Sequence, residues 1–222
     1  TFVLKLDSSG NLVWVKQIGS RTVTSVAVDS SGNVYTTGDF NGTADFDPGA
    51  GTTNLTQNGG GYDAFVSKLD SSGDLVWAKS FGGSGSHSLY SNSVAVDSSG
   101  NVYTTGQLWS TADFDPGAGT TNLTSVSGTD VFMSKLDSSG DLVWAANFGG
   151  EGTSAEDGTS VAVDSSGNAY ITGEFTGPAD FDPGAGTTTL TPAPPDNTSD
   201  CPCNREVLVL TLGSAGDLVG AK

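Results

Sequence analysis

The short sequence Asp-Ser-Ser-Gly recurs along the chain and constrains its fold more than any other feature. It occurs six times, beginning at Asp7, Asp29, Asp70, Asp97, Asp137 and Asp164, and a degenerate seventh copy reads Gly213-Ser214-Ala215-Gly216. An Asp can cap a turn by accepting a backbone N–H two residues further on, and Gly supplies the positive φ that short hairpin loops need. Each copy therefore predicts the turn of a β-hairpin.

The hairpins are of two kinds that alternate along the chain. In the first, Ser-Val-Ala-Val-Asp-Ser-Ser-Gly-Asn-x-Tyr-x-Thr-Gly, the aspartates Asp29, Asp97 and Asp164 lie 68 and 67 residues apart. The second, Phe-x-x-Lys-Leu-Asp-Ser-Ser-Gly-Asn/Asp-Leu-Val-Trp, occupies residues 2–14, 65–77 and 132–144, with a degenerate copy at 208–220. Because apolar and polar residues alternate beside each turn, we predict an all-β fold of fourteen strands in seven hairpins, without a helix of consequence.

The charge of the chain excludes two broad classes of function. The sequence has 25 acidic against 8 basic residues, a formal net charge of −17. Such a surface repels phosphate backbones and anionic lipids, so we expect no nucleic-acid partner. No apolar run approaches the roughly 18 residues of a spanning helix, so we expect no membrane insertion. The start of the sequence lacks a basic and then apolar segment, as expected of a cytosolic chain, a processed chain or a fragment.

Each repeat of about 67 residues holds two hairpins, and hence a four-stranded antiparallel sheet. Aromatic residues recur at fixed places in these sheets, which favours sheets packed radially as the blades of a β-propeller. The recurrent aromatics are Trp14, Trp77 and Trp144 at one position and Tyr35, Tyr103 and Tyr170 at another. Packing between blades is the favoured interpretation of both sets, ahead of sugar stacking.

The strings Ala-Val-Asp-Ser-Ser-Gly-Asn-Val-Tyr-x-Thr-Gly and Asp-Ala-Phe-Val-Ser-Lys-Leu-Asp-Ser-Ser-Gly-Asp-Leu-Val-Trp, followed by Phe-Gly-Gly at 81–83 and 148–150, resemble the bacterial seven-bladed β-propeller (SBBP) repeat. The resemblance implies that the Val-Ala-Val-Asp hairpin forms the two inner strands of a blade and the Lys-Leu-Asp hairpin the two outer strands. Members of this family are mostly large secreted or surface proteins, so the resemblance implies an extracellular or cell-surface location. The chain departs from the family in a longer insert, Ala-Asp-Phe-Asp-Pro-Gly-Ala-Gly-Thr-Thr, between the two hairpins.

With these inner and outer hairpins, the chain contains about three and a half blades. Residues 1–20 form an outer half-blade, and residues 21–90, 91–157 and 158–222 form three blades, the last with a Pro- and Cys-containing insert at 192–205. Three and a half blades do not close, and the half-blade exposes a sheet edge. We therefore expect a longer parent chain or an open homo-oligomeric assembly such as a fibre, ahead of a ring of two copies that both lack a spare inner hairpin.

The insert between the hairpins carries the candidate metal ligands. Its two carboxylates lie two residues apart ahead of a Pro-Gly bend, a pattern that would suit Ca²⁺ but does not match an EF-hand. Capping of a turn by the Asp residues explains the same pattern and is favoured, with Phe46, Phe114 and Phe181 filling the blade interface. The candidate calcium ligands are Asp45, Asp47, Asp113, Asp115, Asp180 and Asp182.

The only two cysteines, Cys201 and Cys203, are too few for a tetrahedral metal site. A local disulfide, a bond to another chain and two free thiols stay open, and such a pair in an acidic surface-type protein indicates an oxidising compartment. The sequons at Asn41, Asn54, Asn122 and Asn197 lie in predicted loops and permit N-glycosylation.

Residues for catalysis are sparse. His87 is the only histidine, in a Gly- and Ser-rich segment expected to be a loop, and Arg21 and Arg205 are the only arginines. Our first hypothesis is a non-enzymatic extracellular scaffold that self-associates or belongs to a larger surface protein. The second is a ligand- or glycan-binding propeller module. The third, a glycan-active enzyme, depends on carboxylate pairs whose spacing the sequence does not show.

Overall fold

The computed structural model describes residues 1–83, 85–150, 156–193 and 205–222. It is an all-β structure, and its backbone in these ranges contains no helix. No helix in the described part of the chain is therefore long and apolar enough to span a membrane.

Eighteen strands are found in the described residues. In chain order they are β1 Phe2–Leu6, β2 Leu12–Gln17, β3 Thr22–Val28, β4 Val34–Phe40, β5 Thr43–Asp45, β6 Asn54–Thr56, β7 Gly60–Leu69, β8 Leu75–Phe81, β9 Ser86–Val96, β10 Val102–Asp113, β11 Asn122–Leu136, β12 Leu142–Gly150, β13 Asp157–Val163, β14 Ala169–Phe175, β15 Ala179–Asp180, β16 Thr189–Leu190, β17 Glu206–Leu212 and β18 Leu218–Ala221.

Fourteen of these strands form the predicted half-blade and three blades. The half-blade is the hairpin β1–β2, blade 1 is β3-β4-β7-β8, blade 2 is β9-β10-β11-β12 and blade 3 is β13-β14-β17-β18, all paired antiparallel. A parallel pairing of Gly60–Tyr62 with residues 86–88 links blades 1 and 2. The predicted boundary between residues 90 and 91 falls inside β9, and β13 begins at Asp157 rather than after it.

The six Asp-Ser-Ser-Gly turns share the predicted geometry. In the first turn Asp7 Oδ1 accepts the backbone N–H of Ser9 at 2.9 Å and of Asn11 at 2.8 Å, and Gly10 has φ of 83°. The other five aspartates accept N–H groups at the same two offsets. The degenerate turn lacks the Asp but keeps the backbone bond from Gly213 N–H to the Asp217 carbonyl.

The inserts are more ordered than a turn. We expected turn chemistry alone, but in blades 1 and 3 the insert forms its own short hairpin, β5–β6 and β15–β16, and in blade 2 it extends β10 and β11. Consequently Asn54 and Asn122 do not lie in loops. Each is the first residue of the strand that returns from the insert, β6 or β11. Position 87 likewise lies in β9 and not in a loop.

The hydrophobic core lies between neighbouring sheets rather than within one. Three clusters of buried side chains fill the spaces from half-blade to blade 1, from blade 1 to blade 2 and from blade 2 to blade 3. The middle cluster, for example, joins Tyr35 and Val66 of blade 1 to Val94 and Phe132 of blade 2. Each blade is therefore stabilised chiefly by the blades beside it.

A polar contact at the turn end of the outer hairpins also holds neighbouring sheets together. Trp77 Nε1 and Lys68 Nζ of blade 1 donate to the carbonyl of Ser138 in blade 2, at 3.2 Å and 3.5 Å. The indole of Trp77 also lies against Gly140 of the same turn. We call this arrangement the outer clasp. It recurs from Lys5 and Trp14 to Ser71 and from Lys135 and Trp144 to Ser214.

Candidate functional site

The first Asp of each insert caps the turn. Asp45 Oδ1 accepts the backbone N–H of Asp47 at 3.0 Å and of Thr53 at 2.8 Å, which closes the loop between the two short strands. Asp113 and Asp180 accept the corresponding pairs of N–H groups in blades 2 and 3. This capping is the chemistry that we favoured for the insert over metal binding.

The second Asp of each insert lies inside the Pro-Gly-Ala-Gly loop. Asp47 Oδ1 accepts the N–H of Gly49 at 2.7 Å, and a Cβ on Gly51 would stand only 2.2 Å from Asp47 Oδ2. Asp115 and Asp182 hold the same positions relative to their glycines. The loop therefore needs Gly at this place because the carboxylate occupies the space of a side chain.

Calcium binding by these loops stays a prediction. Among the described residues, no group of three or more His, Cys, Asp and Glu side chains is arranged to hold a metal ion. Isothermal titration with millimolar Ca²⁺ tests it, and heats identical to those of an Asp45→Ala/Asp47→Ala variant would remove it.

The insert also joins each blade to the sheet before it. Asp113 of blade 2 exchanges backbone hydrogen bonds with Gly82, which follows the outer strand of blade 1, and Asp180 of blade 3 pairs with Gly149 of blade 2. The Asp45 carbonyl likewise accepts the N–H of Gly19 beyond the half-blade. The insert is therefore an inter-blade latch.

The phenylalanine between the two aspartates is buried at each latch, as expected. Phe114 stacks on Phe81 of the preceding sheet at a centroid distance of 5.6 Å, and Phe181 stacks on Phe148 at 6.5 Å. Phe46 packs with Phe40 and Phe65 of its own blade. All three insert phenylalanines are fully buried.

The sequons at Asn41, Asn54 and Asn122 are all exposed in the structure, and their glycosylation stays a prediction. Asn197, Cys201 and Cys203 lie outside the described residues. The state of the cysteine pair and the fourth sequon also stay predictions.

The repeats diverge at the end of each inner hairpin that lies opposite the turn. Near the turn, the cross-strand pairs are the same in all three blades: Ala27–Tyr35, Ala95–Tyr103 and Ala162–Tyr170. At the opposite end the equivalent pairs are Thr22–Asp39, Tyr90–Gln107 and Asp157–Glu174. We call this region the variable end. Because its residues differ between copies whose packing residues are constant, it is the surface that the shared fold leaves free to specialise.

Charged and aromatic side chains meet at the variable end of blade 1. Arg21 Nη1 lies 2.8 Å from Oδ2 of the buried Asp39, whose other oxygen accepts a hydrogen bond from Thr22. The guanidinium carbon of Arg21 is 4.6 Å from the centroid of Tyr62, and the rings of Tyr62 and Tyr90 are 5.5 Å apart. The hydrogen bond to Asp39 raises the pKa of Arg21 above its usual value. The cluster is a fixed cation beside two aromatic rings, a combination that suits protein or sugar surfaces.

The other variable ends are built differently. Asn92 of blade 2 donates to Asp157 Oδ1 of blade 3 at 2.8 Å, and burial raises the pKa of this Asp. At the edge of blade 3, Arg205 Nη1 pairs with Glu174. The three blades thus present a cation with aromatics, a partly buried amide–acid pair and an exposed ion pair.

Two buried acids at equivalent positions of the outer hairpins were not found by the sequence analysis. Asp63 and Asp130 occupy the same position of β7 and β11, and both are almost fully buried. Asp130 Oδ2 accepts hydrogen bonds from Asn147 at 2.6 Å and from the Val126 N–H at 3.2 Å, while burial raises the pKa of the carboxyl. The available signal was an Asp directly before the apolar run of a strand, in both 61–66 and 128–133.

Comparison with known proteins agrees with this architecture. Residues 13–47, 76–115 and 143–178, which together make up half of the chain, match the model of the SBBP β-propeller repeat. Each matched range begins in the outer strand of one sheet and includes the inner hairpin of the next blade, and the first two ranges extend into the latch.

The chain is also similar to an uncharacterized WD repeat-containing protein of Acanthamoeba polyphaga mimivirus. The two are 30% identical over 202 residues, which cover 78% of this chain and 14% of the viral protein. The chain thus spans about one seventh of the length of this relative. On the family match and on the blades that its repeats form, this chain belongs to the SBBP β-propeller repeat family.

Proposed function

We propose that this β-propeller repeat chain is a non-enzymatic interaction scaffold and one segment of a larger extracellular or cell-surface protein. The proposal depends on one observation, which is that the constant and the differing residues of the repeat lie in different places. The constant residues build the turns, the outer clasp and the latch, and the polar residues that differ between copies gather at the variable end. Binding to partners would then fall to the variable end.

Self-association through the contact that joins the blades has less support. The last outer hairpin carries Thr211 and Gly220 at the positions of the clasp residues Lys68 and Trp77. A second copy placed after blade 3 could not be held by an outer clasp. The missing clasp therefore gives no support to a head-to-tail fibre of this chain.

The native source provides the test. An antibody raised against the chain should detect a species several times larger than the 22.3 kDa of these residues, and protease added to intact cells should remove it. A 22 kDa protein retained inside the cell would overturn the proposal.

A ligand- or glycan-binding module is the second candidate, and the Arg21, Tyr62 and Tyr90 cluster is the observation that favours it. Glycan-array binding by the monomer that is lost in Arg21→Ala/Tyr62→Ala would support it. Because Val76 is exposed on an outer strand away from this cluster, Val76→Ala is the matched control.

A further inference from the structure

One tryptophan of the chain takes no part in the outer clasp. Trp14, Trp77 and Trp144 are clasp residues, whereas Trp109 lies in β10 and is 60% exposed. Its neighbour Leu108 is fully buried between blades 1 and 2, so Trp109 points away from that core because side chains alternate along a strand. Packing between these blades therefore does not explain the Trp109 indole.

The backbone next to Trp109 is strained. Blade 1 has Asn41-Gly42 and blade 3 has Thr-Gly at 176–177, where blade 2 has Trp109-Ser110. Ser110 keeps the left-handed conformation of Gly42, with φ of 74° against 68°, and no other residue except glycine has a positive φ in the described ranges. Blade 2 therefore holds an exposed tryptophan beside a backbone conformation that a side chain rarely adopts, and such strain is typical of functional sites.

Two tyrosines lie on the same face of the sheet as Trp109. Ser88 of β9 pairs with Trp109 of β10 on one side and with Tyr62 of β7 on the other, and paired residues project from the same face. Tyr90 lies two residues beyond Ser88 and so shares this face, and its ring is 5.5 Å from the ring of Tyr62. We call the surface formed by Tyr62, Tyr90 and Trp109 the aromatic shelf.

The two tyrosines of the aromatic shelf also differ from their equivalents in other blades. Blade 2 has Thr129 in the place of Tyr62. The residues equivalent to Tyr90 are Thr22 in blade 1 and Asp157 in blade 3. Three exceptions to the repeat thus meet at one place, although they come from two blades and three strands. Because the shared fold does not require them, their convergence indicates a role in binding.

The charges around the aromatic shelf favour a neutral ligand. The guanidinium of Arg21, which pairs with the buried Asp39, lies 4.6 Å from the centre of the Tyr62 ring and takes the place that a bound cation would have there. A cationic ligand would meet this positive group, and an anionic ligand would meet a chain with a net charge of −17.

The residues between the rings carry hydroxyl groups. Ser88 lies between Tyr62 and Trp109, Thr129 pairs with Trp109, and Ser110 follows it. Aromatic faces beside hydroxyl groups match a sugar ring, which has C–H groups on its face and hydroxyl groups around its edge, whereas the core of a protein interface is more uniformly apolar. Tyr62 and Trp109 are two strand spacings apart, about 10 Å, so a single sugar ring is too short to contact both.

We propose that the aromatic shelf binds an uncharged oligosaccharide. One sugar ring stacks on the Trp109 indole, another packs against the Tyr62 and Tyr90 pair, and sugar hydroxyl groups exchange hydrogen bonds with Ser88 and Ser110. This inference rests on the second candidate function, since it gives the glycan-binding module its ligand class and places the centre of the site at Trp109.

The test copies the sequence of blade 1 into blade 2. Trp109→Asn/Ser110→Gly removes the indole and puts glycine at the left-handed position, so the variant should fold with an unchanged or higher melting temperature. The probes are an array of neutral glycans and, in isothermal titration, the tetrasaccharide and the monosaccharide of the sugar that the array selects. We expect the whole chain to bind the tetrasaccharide more tightly than the monosaccharide, and the double variant to lose about tenfold or more in affinity.

Tyr170→Ala is the matched control, because Tyr170 is an aromatic residue 42% exposed at the turn end of blade 3. It should leave glycan binding unchanged. Three results would overturn the inference: no neutral glycan bound by the folded chain at millimolar concentration, equal binding by the chain and the double variant, and an equal loss in the control. If the double variant does not fold, Trp109→Asn alone is measured, with the same expected loss.

Two further outcomes separate this inference from the functions proposed above. Glycan binding that is lost in Arg21→Ala/Tyr62→Ala but kept in Trp109→Asn/Ser110→Gly would support the second candidate function and overturn the site at Trp109. A protein partner that binds through Trp109, with no glycan bound, would support the scaffold and overturn the oligosaccharide as ligand. Failure of the scaffold proposal is measured independently, by the mass and location of the native protein.

Discussion

At the scale of single residues, the outer clasp shows why the turn glycines are constrained twice. Gly140 has φ of 83°, which an L side chain rarely adopts, and a Cβ there would lie 2.9 Å from Lys79 Cε and 3.1 Å from Trp77 Cδ2. Gly10 has the same φ of 83° but no atom within 4 Å of such a Cβ. The two positions therefore separate the backbone requirement from the packing requirement.

The first prediction uses this pair of glycines. Gly10→Ala should lower the free energy of unfolding by about 1 kcal/mol, the cost of a left-handed residue. Gly140→Ala should cost about 1–3 kcal/mol more, because the new methyl group also displaces the Trp77 indole. Urea denaturation of the two variants measures the difference. Equal losses would mean that the clasp contributes no packing energy.

The second prediction compares two acids, Asp97 and Asp130, whose pKa values shift in opposite directions. Burial alone would raise the pKa of Asp97, but hydrogen bonds from Asn101, Ser99 and Tyr103 hold it below its ordinary value of 3.8. Its stabilising effect is thus present above about pH 4 and is lost as the pH falls through the folded-state pKa. Asp97→Asn should lower stability at pH 7, and the loss should shrink towards pH 2.5.

Asp130 affects the pH dependence of stability in the opposite direction to Asp97. Because burial raises its pKa, the ionised carboxylate destabilises the fold once the pH rises above the unfolded-state value of 3.8. Its Oδ1 also has no hydrogen-bond partner among the described residues. Asp130→Asn should therefore raise stability at pH 7 by about 1 kcal/mol and change little at pH 2.5. Unfolding curves at the two pH values check both variants, and parallel pH profiles for the two would contradict the assignment.

At the scale of elements, the inter-blade latch explains the long insert. It brings a short pairing and a buried phenylalanine to the outer strand of the preceding sheet, so that the sheets are coupled at the end opposite the outer clasp. Adjacent blades are therefore held at both ends of their outer hairpins. Neither contact involves residues close in sequence.

The third prediction measures coupling across the latch. Because Phe81 and Phe114 stack across two blades, a double-mutant cycle with Phe81→Leu and Phe114→Leu should give a coupling energy of about 1 kcal/mol. Phe46 and Phe181 belong to separate latches in blades 1 and 3, so the same cycle on that pair should be additive. Coupling energies near zero for both pairs would show that the latch does not join the blades.

At the scale of the whole molecule, the row of sheets has two ends that expose different residues. Tyr170 of blade 3 is 42% exposed, whereas Tyr35 and Tyr103 are covered completely by the blade that follows them. The other end exposes the half-blade and β3. Blade 2 is the only complete blade in the described chain with a complete blade on either side.

The fourth prediction follows from this asymmetry. In a stack of repeats, stability comes from interfaces with neighbours, so local opening should be easiest at the ends. Hydrogen exchange should be fastest in β1–β2, intermediate in β17–β18 and slowest in β10–β11. Mass spectrometry of peptides from these strands reports the order, and uniform protection would indicate all-or-none unfolding.

Much of the fold could be predicted from local patterns. The Asp-Ser-Ser-Gly turns and the seven hairpins depend on contacts within one hairpin, where turn chemistry and alternation determine pairing, and the blade count follows from their repetition. The four short strands of the insert hairpins, β5, β6, β15 and β16, were missed because the Pro-Gly-Ala-Gly loop dominates the local pattern. The sequons Asn54 and Asn122 were placed in loops for the same reason.

The candidate sites were less accessible from the sequence. The aspartates of the inserts stood out by their spacing, but their spacing could not distinguish a capped turn from a metal ligand. Arg21, Tyr62 and Tyr90 are dispersed along the chain and meet only because β9 packs beside β3 and β7. Asp130 looked like an ordinary acid, and only its burial raises its pKa.

The sequence by itself determined the hairpins, their register and their alternation, because each depends on turn residues and on a two-residue period over a short span. Only the tertiary structure decided which equivalent residues are covered and which are open. The outer clasp joins residues 57 to 79 positions apart, and its last copy is missing at Gly220. Val26 and Val94 have the same neighbours in sequence, yet one lines an open cleft and the other is buried, because burial depends on whether another blade lies beside the strand.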